Sequence, residues 1–192
     1  MDQSGIREAL TTLGELLAAE GEHFAVIVTG GATLNLLGVV RRATSDVDVI
    51  ARADRDEDGT VQLHQAEPFP PALRHAIRTV ARDLGLDEDW MNTDVGKQWS
   101  QGLPPETAEE LTWERFGDGL DVGLVGRQTL IALKLFAAVD RGAGSVHAQD
   151  LVALDPTDHD LARAREWVLT QDAAPAWPDL VDRAIDRINA NR

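Results

Sequence analysis

Cysteine is absent from the 192 residues, which excludes thiol catalysis, disulfides and thiolate metal sites and fits a reducing cytoplasm as the expected compartment. No apolar run is long enough to cross a bilayer, so no membrane partner is expected. Acidic and polar residues interrupt Met1 to Leu10, and no secretory leader is expected there. Basic charge is scarce. The formal net charge is -15, which argues against a general nucleic-acid binder, because phosphate neutralisation supplies most of such a protein's affinity. A local basic groove, or a basic partner protein, remains compatible with that sum. Lysine is nearly missing, with two lysines against sixteen arginines. Internal repeats and low-complexity tracts are also lacking, and the five histidines show no H-x-x-x-H metal spacing.

The length suits one substantial core, or one domain with a helical extension. Apolar periodicity predicts a helix over 5–20, a buried strand over 24–28 and a short helix over 32–37. A strand over 47–51 follows, then a charged loop over 52–59 and a short strand within 60–66. A Pro-Pro start predicts a helix from 69 to about 84. Residues 96–106 read as loop. Residues 110–116 and 120–125 flank a Gly-Asp-Gly turn and predict a hairpin. Four helices close the chain, over 128–140, 145–154, 157–169 and 178–189. Strands early and helices late predict an α+β fold, divided into a core over 1–126 and a helical C-terminal portion over 127–192.

The segment 26–49, VIVTGGATLNLLGVVRRATSDVDV, carries the strongest chemical signal. An apolar run ends in Thr29-Gly30-Gly31, a short helix follows, and Arg42-Ala43-Thr44 leads into Asp46-Val47-Asp48. Residues two apart on a strand share a face, so the two carboxylates project together while Val47 and Val49 face the other way. Carboxylates so close repel unless a cation sits between them, and hard cations such as magnesium take these oxygen ligands. A glycine pair opening a helix can cradle phosphate. Cradle and carboxylate pair together are equipment for phosphoryl or nucleotidyl transfer with metal help.

Lys134 is the second signal. It sits in TLIALKLFAAV among apolar helical neighbours, where a cation must either snorkel to water or meet an anion. A triphosphate is one such anion. Downstream stand Arg141 and Ala148-Gln149-Asp150-Leu151.

The ordered set GG-x-T-x-x-L, then R-x-T-x-D-x-D, then the helix lysine, the later arginine and Asp150-Leu151, resembles the polymerase-β-like nucleotidyltransferases. In particular it is similar to the AbiE-type and MenT-type toxin branch of bacterial toxin–antitoxin systems. Trp90-x-Asn92 is similar to a W-[LM]-N element of that branch. The branch's K-D-L run is altered here, with Gln149 in the lysine's place. The resemblance implies a small polymerase-β-like core, a mixed sheet with helices, and transfer of a nucleoside monophosphate from NTP to the 3′ end of tRNA. It implies that Gly30, Gly31, Thr33, Arg42 and Thr44 hold the nucleotide, and that Asp46 and Asp48 bind Mg2+ or Mn2+. Lys134 would contact phosphate and Asp150 would complete the acidic site. Asp121, in LDVGLV, is the rival third carboxylate. A cognate antitoxin protein is the implied partner.

Other readings stay open. Small nucleotidyltransferases also modify antibiotics or protein hydroxyls, and the acidic balance suits a cationic aminoglycoside. A degenerate module that only binds nucleotide is the non-enzymatic alternative, against which Asp46, Asp48 and Lys134 stand intact. Arg74, Arg78 and Arg82 recur every four residues and form one helical stripe. With Arg41, Arg42 and Lys97 they offer a local basic groove for an RNA acceptor end. The five tryptophans, at 90, 99, 113, 167 and 177, read as packing anchors.

Overall fold

The computed structural model describes residues 1–56, 58–141 and 145–191, without the side chains of 97–100. The fold is α+β, with one mixed sheet and, among the described residues, seven α-helices. No helix among these residues is long and apolar enough to cross a membrane. The chain divides into two compact units. The first comprises Met1–Gly102 and Leu111–Val125, and the second Leu103–Glu110 and Gly126–Arg192. Residues 103–110, grouped above with the core, therefore pack with the helical C-terminal part.

The first unit contains the sheet. Its helices are α1 (Gln3–Ala19), α2 (Gly30–Leu36) and α3 (Pro71–Leu84). Its strands are β1 (Phe24–Thr29), β2 (Val47–Arg55), β3 (Val61–Gln65), β4 (Met91–Asn92), β5 (Thr112–Phe116) and β6 (Leu120–Leu124). The strand order is β3-β2-β1-β6-β5, and β4 pairs with β2 as well. β1 runs antiparallel to β2 and parallel to β6, which makes the sheet mixed. Val26 and Val28 of β1, Val47 and Val49 of β2, and Val122 and Leu124 of β6 meet the apolar faces of α1 and α3 in one buried cluster. Ile6, Leu10, Leu13 and Leu17 supply the α1 face, at the helical spacing seen in the sequence. Pro71 opens α3, and Gly85, in the left-handed region at φ 66°, closes it.

Three features depart from the sequence reading. β2 runs on to Arg55, through residues expected to be loop, because β3 pairs with it from Ala51↔Gln65 to Arg55↔Val61. β4 is a two-residue strand pairing parallel with the start of β2, and 94–101 and 105–108 form short 3-10 helices where loop was expected.

The second unit contains α4 (Arg127–Arg141), α5 (Val146–Ala153), α6 (Asp158–Leu169) and α7 (Trp177–Asn191). Phe136 stands edge-on to Trp167 and Trp177, with centroids 6.0 and 5.9 Å away. The Trp177 indole donates to the Val168 carbonyl at 2.9 Å, so both tryptophans serve as anchors. The start of α6 is a capping box: Thr157 Oγ1 accepts from the Asp160 N–H, and the Asp160 carboxylate accepts from the Thr157 N–H. Arg127 donates to the same carboxylate at 2.8 Å and to the carbonyls of Leu154 and Asp155, tying α4 to the α5–α6 turn.

The Arg127 guanidinium holds the Asp160 carboxyl down at about 2 from an ordinary 3.8, with the Thr157 N–H adding to the effect. The folded value lies below the unfolded one. The stabilisation is therefore complete above the unfolded pKa and is lost as pH falls from about 4 towards 2. Arg127 is half exposed, so solvent screening reduces the contribution to about 1 kcal/mol. Asp160→Asn is expected to lower the unfolding free energy, read from urea titration, by that amount at neutral pH and to leave it nearly unchanged near pH 2. An equal deficit at both pH values would contradict the assignment.

Candidate functional site

The site is built where β1 gives way to α2. Thr29, the last residue of β1, pairs with Asp48 near the start of β2. A register shift between Ile27 and Val28 bulges β2 just beyond this pair, a device that re-aims strand side chains. Val47 and Val49 are committed to the core, so alternation sends Asp48 to the other face. There it meets Gly30. A Cβ on Gly30 would lie 2.2 Å from Asp48 Oδ2, and Gly30 has φ 74°. Both the contact and the backbone require glycine at this position.

The second glycine sits against the loop before β2. A Cβ on Gly31 would lie 2.8 Å from Thr44 Oγ1 and 3.6 Å from Arg42 Nη2. Thr44 Oγ1 in turn donates to Asp46 Oδ1 at 3.2 Å. The Thr44 N–H donates to the Met1 carbonyl at 2.9 Å, and the Met1 amino group donates back to the Thr44 carbonyl. Gly30, Gly31, Arg42, Thr44, Asp46 and Asp48 therefore form one corner. Asp48 abuts the first glycine, and Asp46 is linked through Thr44 to the second. Both carboxylates are half-buried, and Asp46 lies one residue ahead of the strand proper.

Thr33 is placed differently from a ligand contact. Its hydroxyl is fully buried and donates to the Val28 carbonyl at 2.8 Å, fastening α2 to β1. Asn35 Nδ2 similarly donates to the Gly31 carbonyl at 2.9 Å. The corner has a further neighbour that motif reading left out of the site. Asn92, on β4, pairs in register with Asp48. The Val47 N–H donates to the Trp90 carbonyl at 2.6 Å, and the Trp90 indole donates to the Ile77 carbonyl at 3.0 Å. Trp90 thus anchors the segment that brings Asn92 alongside. The Trp-x-Asn element was the available signal, but only the β2–β4 pairing gives it a position.

Asp121 belongs to the other end of β1. It pairs with Ala25, four residues before Thr29, which is about 13 Å of strand. Its buried carboxylate accepts from Arg115 Nε at 3.0 Å and has His23 at 3.4 Å and Arg55 at 3.7 Å. Asp121 pushes the Arg115 guanidinium above its usual range. The Arg55 guanidinium also lies 4.3 Å from the Trp113 ring centroid. Asp121 is the centre of an ion-pair cluster and is not gathered with Asp46 and Asp48.

In the helical unit, Lys134 and Asp150 meet each other. Lys134 Nζ donates to Asp150 Oδ2 at 2.8 Å, and the two side chains are 7% and 2% exposed. The lysine therefore does not snorkel: it meets an anion, and the carboxylate of α5 is that anion. On the stripe of α3, Arg74 and Arg78 are exposed, and Arg82 pairs with its neighbour Asp83 at 2.8 Å. Arg41 is exposed as well, and the Lys97 side chain lies outside the described residues.

Among the described residues no three histidine, aspartate or glutamate side chains gather as metal ligands. Magnesium is commonly held by one or two carboxylates, with substrate phosphates and water completing the shell. The donor set Asp46 and Asp48 has that form, and the missing Cβ of Gly30 makes room for Asp48 Oδ2 at the start of α2. Comparison of the chain with protein-family models, with curated proteins and with solved structures finds no match.

Proposed function

We propose that the chain is a metal-dependent nucleotidyltransferase with a polymerase-β-like core, and that the Gly30–Asp48 corner receives the nucleotide's phosphates. The observation that carries this reading is the direct seating of Gly30 on Asp48, with Gly31 linked through Thr44 to Asp46. A strand-to-helix turn that holds Gly30 against Asp48 and Gly31 against Thr44, itself bonded to Asp46, brings backbone N–H groups near hard oxygen donors. Anionic phosphate and a divalent cation satisfy both together.

In this reading Asp46 and Asp48 would hold Mg2+ or Mn2+. The bound metal would orient the triphosphate and neutralise charge as pyrophosphate leaves. Thr44 orients Asp46, and Thr33 keeps α2 fixed on β1. Gly30 makes room for the Asp48 carboxylate and Gly31 for the Thr44 hydroxyl, and Arg42 beside Gly31 supplies positive charge towards phosphate. The resemblance alone names Lys134 as a phosphate contact; within the helical unit its ammonium, which has three protons, donates one to Asp150. Asp150 is then a positioning residue for Lys134.

The acceptor follows from charge and from the motif set. The resemblance favours the 3′ end of tRNA, with a toxic outcome and an antitoxin partner, and exposed Arg74 and Arg78 offer a positive face on an acidic protein. The net charge of -15 favours instead a cationic small acceptor such as an aminoglycoside. Incubation with each labelled NTP, and with either total tRNA or an aminoglycoside panel, separates the two. For tRNA, Arg74→Glu with Arg78→Glu is expected to lower labelling by about tenfold or more and to leave NTP affinity unchanged. Wild-type labelling should fall steeply with salt, since each phosphate contact releases counterions. A flat salt response with no defect in the double variant would reject this face and favour the small acceptor.

A further inference from the structure

The helical unit has a groove that the nucleotidyltransferase reading does not use. Its volume is about 590 Å3, and α4, α5 and α7 line it. The α7 side is a single helical face: Leu180, Arg183, Ala184, Arg187 and Ile188 recur at spacings of three and four. Ala138 of α4, Ala148 of α5 and Ala184 of α7 all reach it, and their short side chains leave the space between the helices unfilled. Val139 and Val152 complete apolar walls, and Leu180 at the rim is 40% exposed.

The charged residues on this lining are Arg183 and Arg187, one turn apart and exposed. Neither guanidinium has an ion-pair partner among the described residues. Asp182, their neighbour on α7, is committed to Arg165 at 2.6 Å. On a chain of net charge -15, two uncommitted guanidiniums beside an apolar groove form a local exception. Apolar walls favour hydrocarbon, and adjacent guanidiniums favour a carboxylate, which they bind by paired N–H donors. The volume is that of a small-molecule site, which typically spans about 300–1,000 Å3.

The geometry points to a second binding site here, for an amphipathic monocarboxylate: a free medium-chain fatty acid with its tail between α4, α5 and α7 and its carboxylate on Arg183 and Arg187. The site is independent of the Asp46–Asp48 corner.

Calorimetric titration of the full chain tests this, with decanoate and decyltrimethylammonium as probes below their micellar concentrations. Decanoate is expected to bind saturably at one site, and the cation of equal tail at least about tenfold more weakly. Arg183→Gln with Arg187→Gln changes two exposed residues and should keep the fold, as checked by circular dichroism. It should weaken decanoate about tenfold or more. Ala184→Leu should fill the groove and abolish binding. No saturable binding of decanoate, equal affinity for the cation, or full affinity in the arginine variant would overturn the assignment. So would a concentration-dependent dimer in sedimentation that Ala184→Leu abolishes, since a second copy would then occupy the groove.

Discussion

Asp48→Asn is expected to abolish nucleotidyl transfer, by about 10²–10³-fold or more, while the protein stays folded. The amide has the shape of the carboxylate, so it still fits against Gly30, and the stability change should stay within about 1 kcal/mol. The charge is what is lost. An amide is a poor ligand for a hard divalent cation, and loss of one well-placed electrostatic group costs an enzyme a factor of this size. Asp46→Asn should act in the same direction. Thr44→Val should act more weakly, because it frees Asp46 without removing it. The check is the initial rate of transfer in excess metal, beside a thermal melt of each variant. An Asp48→Asn protein that melts normally and turns over at the wild-type rate would remove the carboxylate pair from the mechanism.

Lys134→Met is expected to destabilise the protein by about 3–5 kcal/mol, because it leaves the Asp150 carboxylate buried without its ammonium. Asp150→Leu alone should cost a similar amount by stranding the lysine. The double change Lys134→Met with Asp150→Leu should restore most of the loss, since two apolar side chains suit a site 7% and 2% exposed. Urea unfolding of the four proteins gives the coupling directly. The double variant also separates the two roles of Lys134. If the ammonium serves phosphate, the restored fold remains inactive. If the pair only holds α5 to α4, activity returns with stability. Near-additive costs would mean that the two groups do not depend on each other.

The elements legible in the sequence were those with a local signature. α1 announced itself by apolar spacing, α3 by its Pro-Pro start and the β5–β6 hairpin by its turn. The corner was legible as an order of motifs, Gly30-Gly31 and then Asp46-x-Asp48. That Gly30 packs directly on Asp48, and that Thr44 joins Gly31 to Asp46, depends on the register of β1 against β2. What stayed hidden was set by long-range pairing. Arg52 and Asp54 read as loop because charge alternates there with small residues, yet β3 holds them in a ladder. β4 has two residues and no periodicity to detect. Asp121 looked equivalent to any strand carboxylate until the parallel β1–β6 register placed it beside Ala25, with Arg55, Arg115 and His23 around it. The Lys134–Asp150 pair joins two helices, and nothing local in either segment requires it.

The central proposal is that this chain breaks the bond between the α- and β-phosphates and moves a nucleoside monophosphate to an acceptor hydroxyl. Parallel reactions with NTP labelled at the α-phosphate or at the γ-phosphate test it most directly, with total tRNA as acceptor and divalent metal present or chelated. The proposal predicts that the α label appears on the RNA, that the γ label leaves in pyrophosphate, and that chelation stops both. Transfer of the γ label to the acceptor, or α-label transfer that persists in excess chelator, would contradict it.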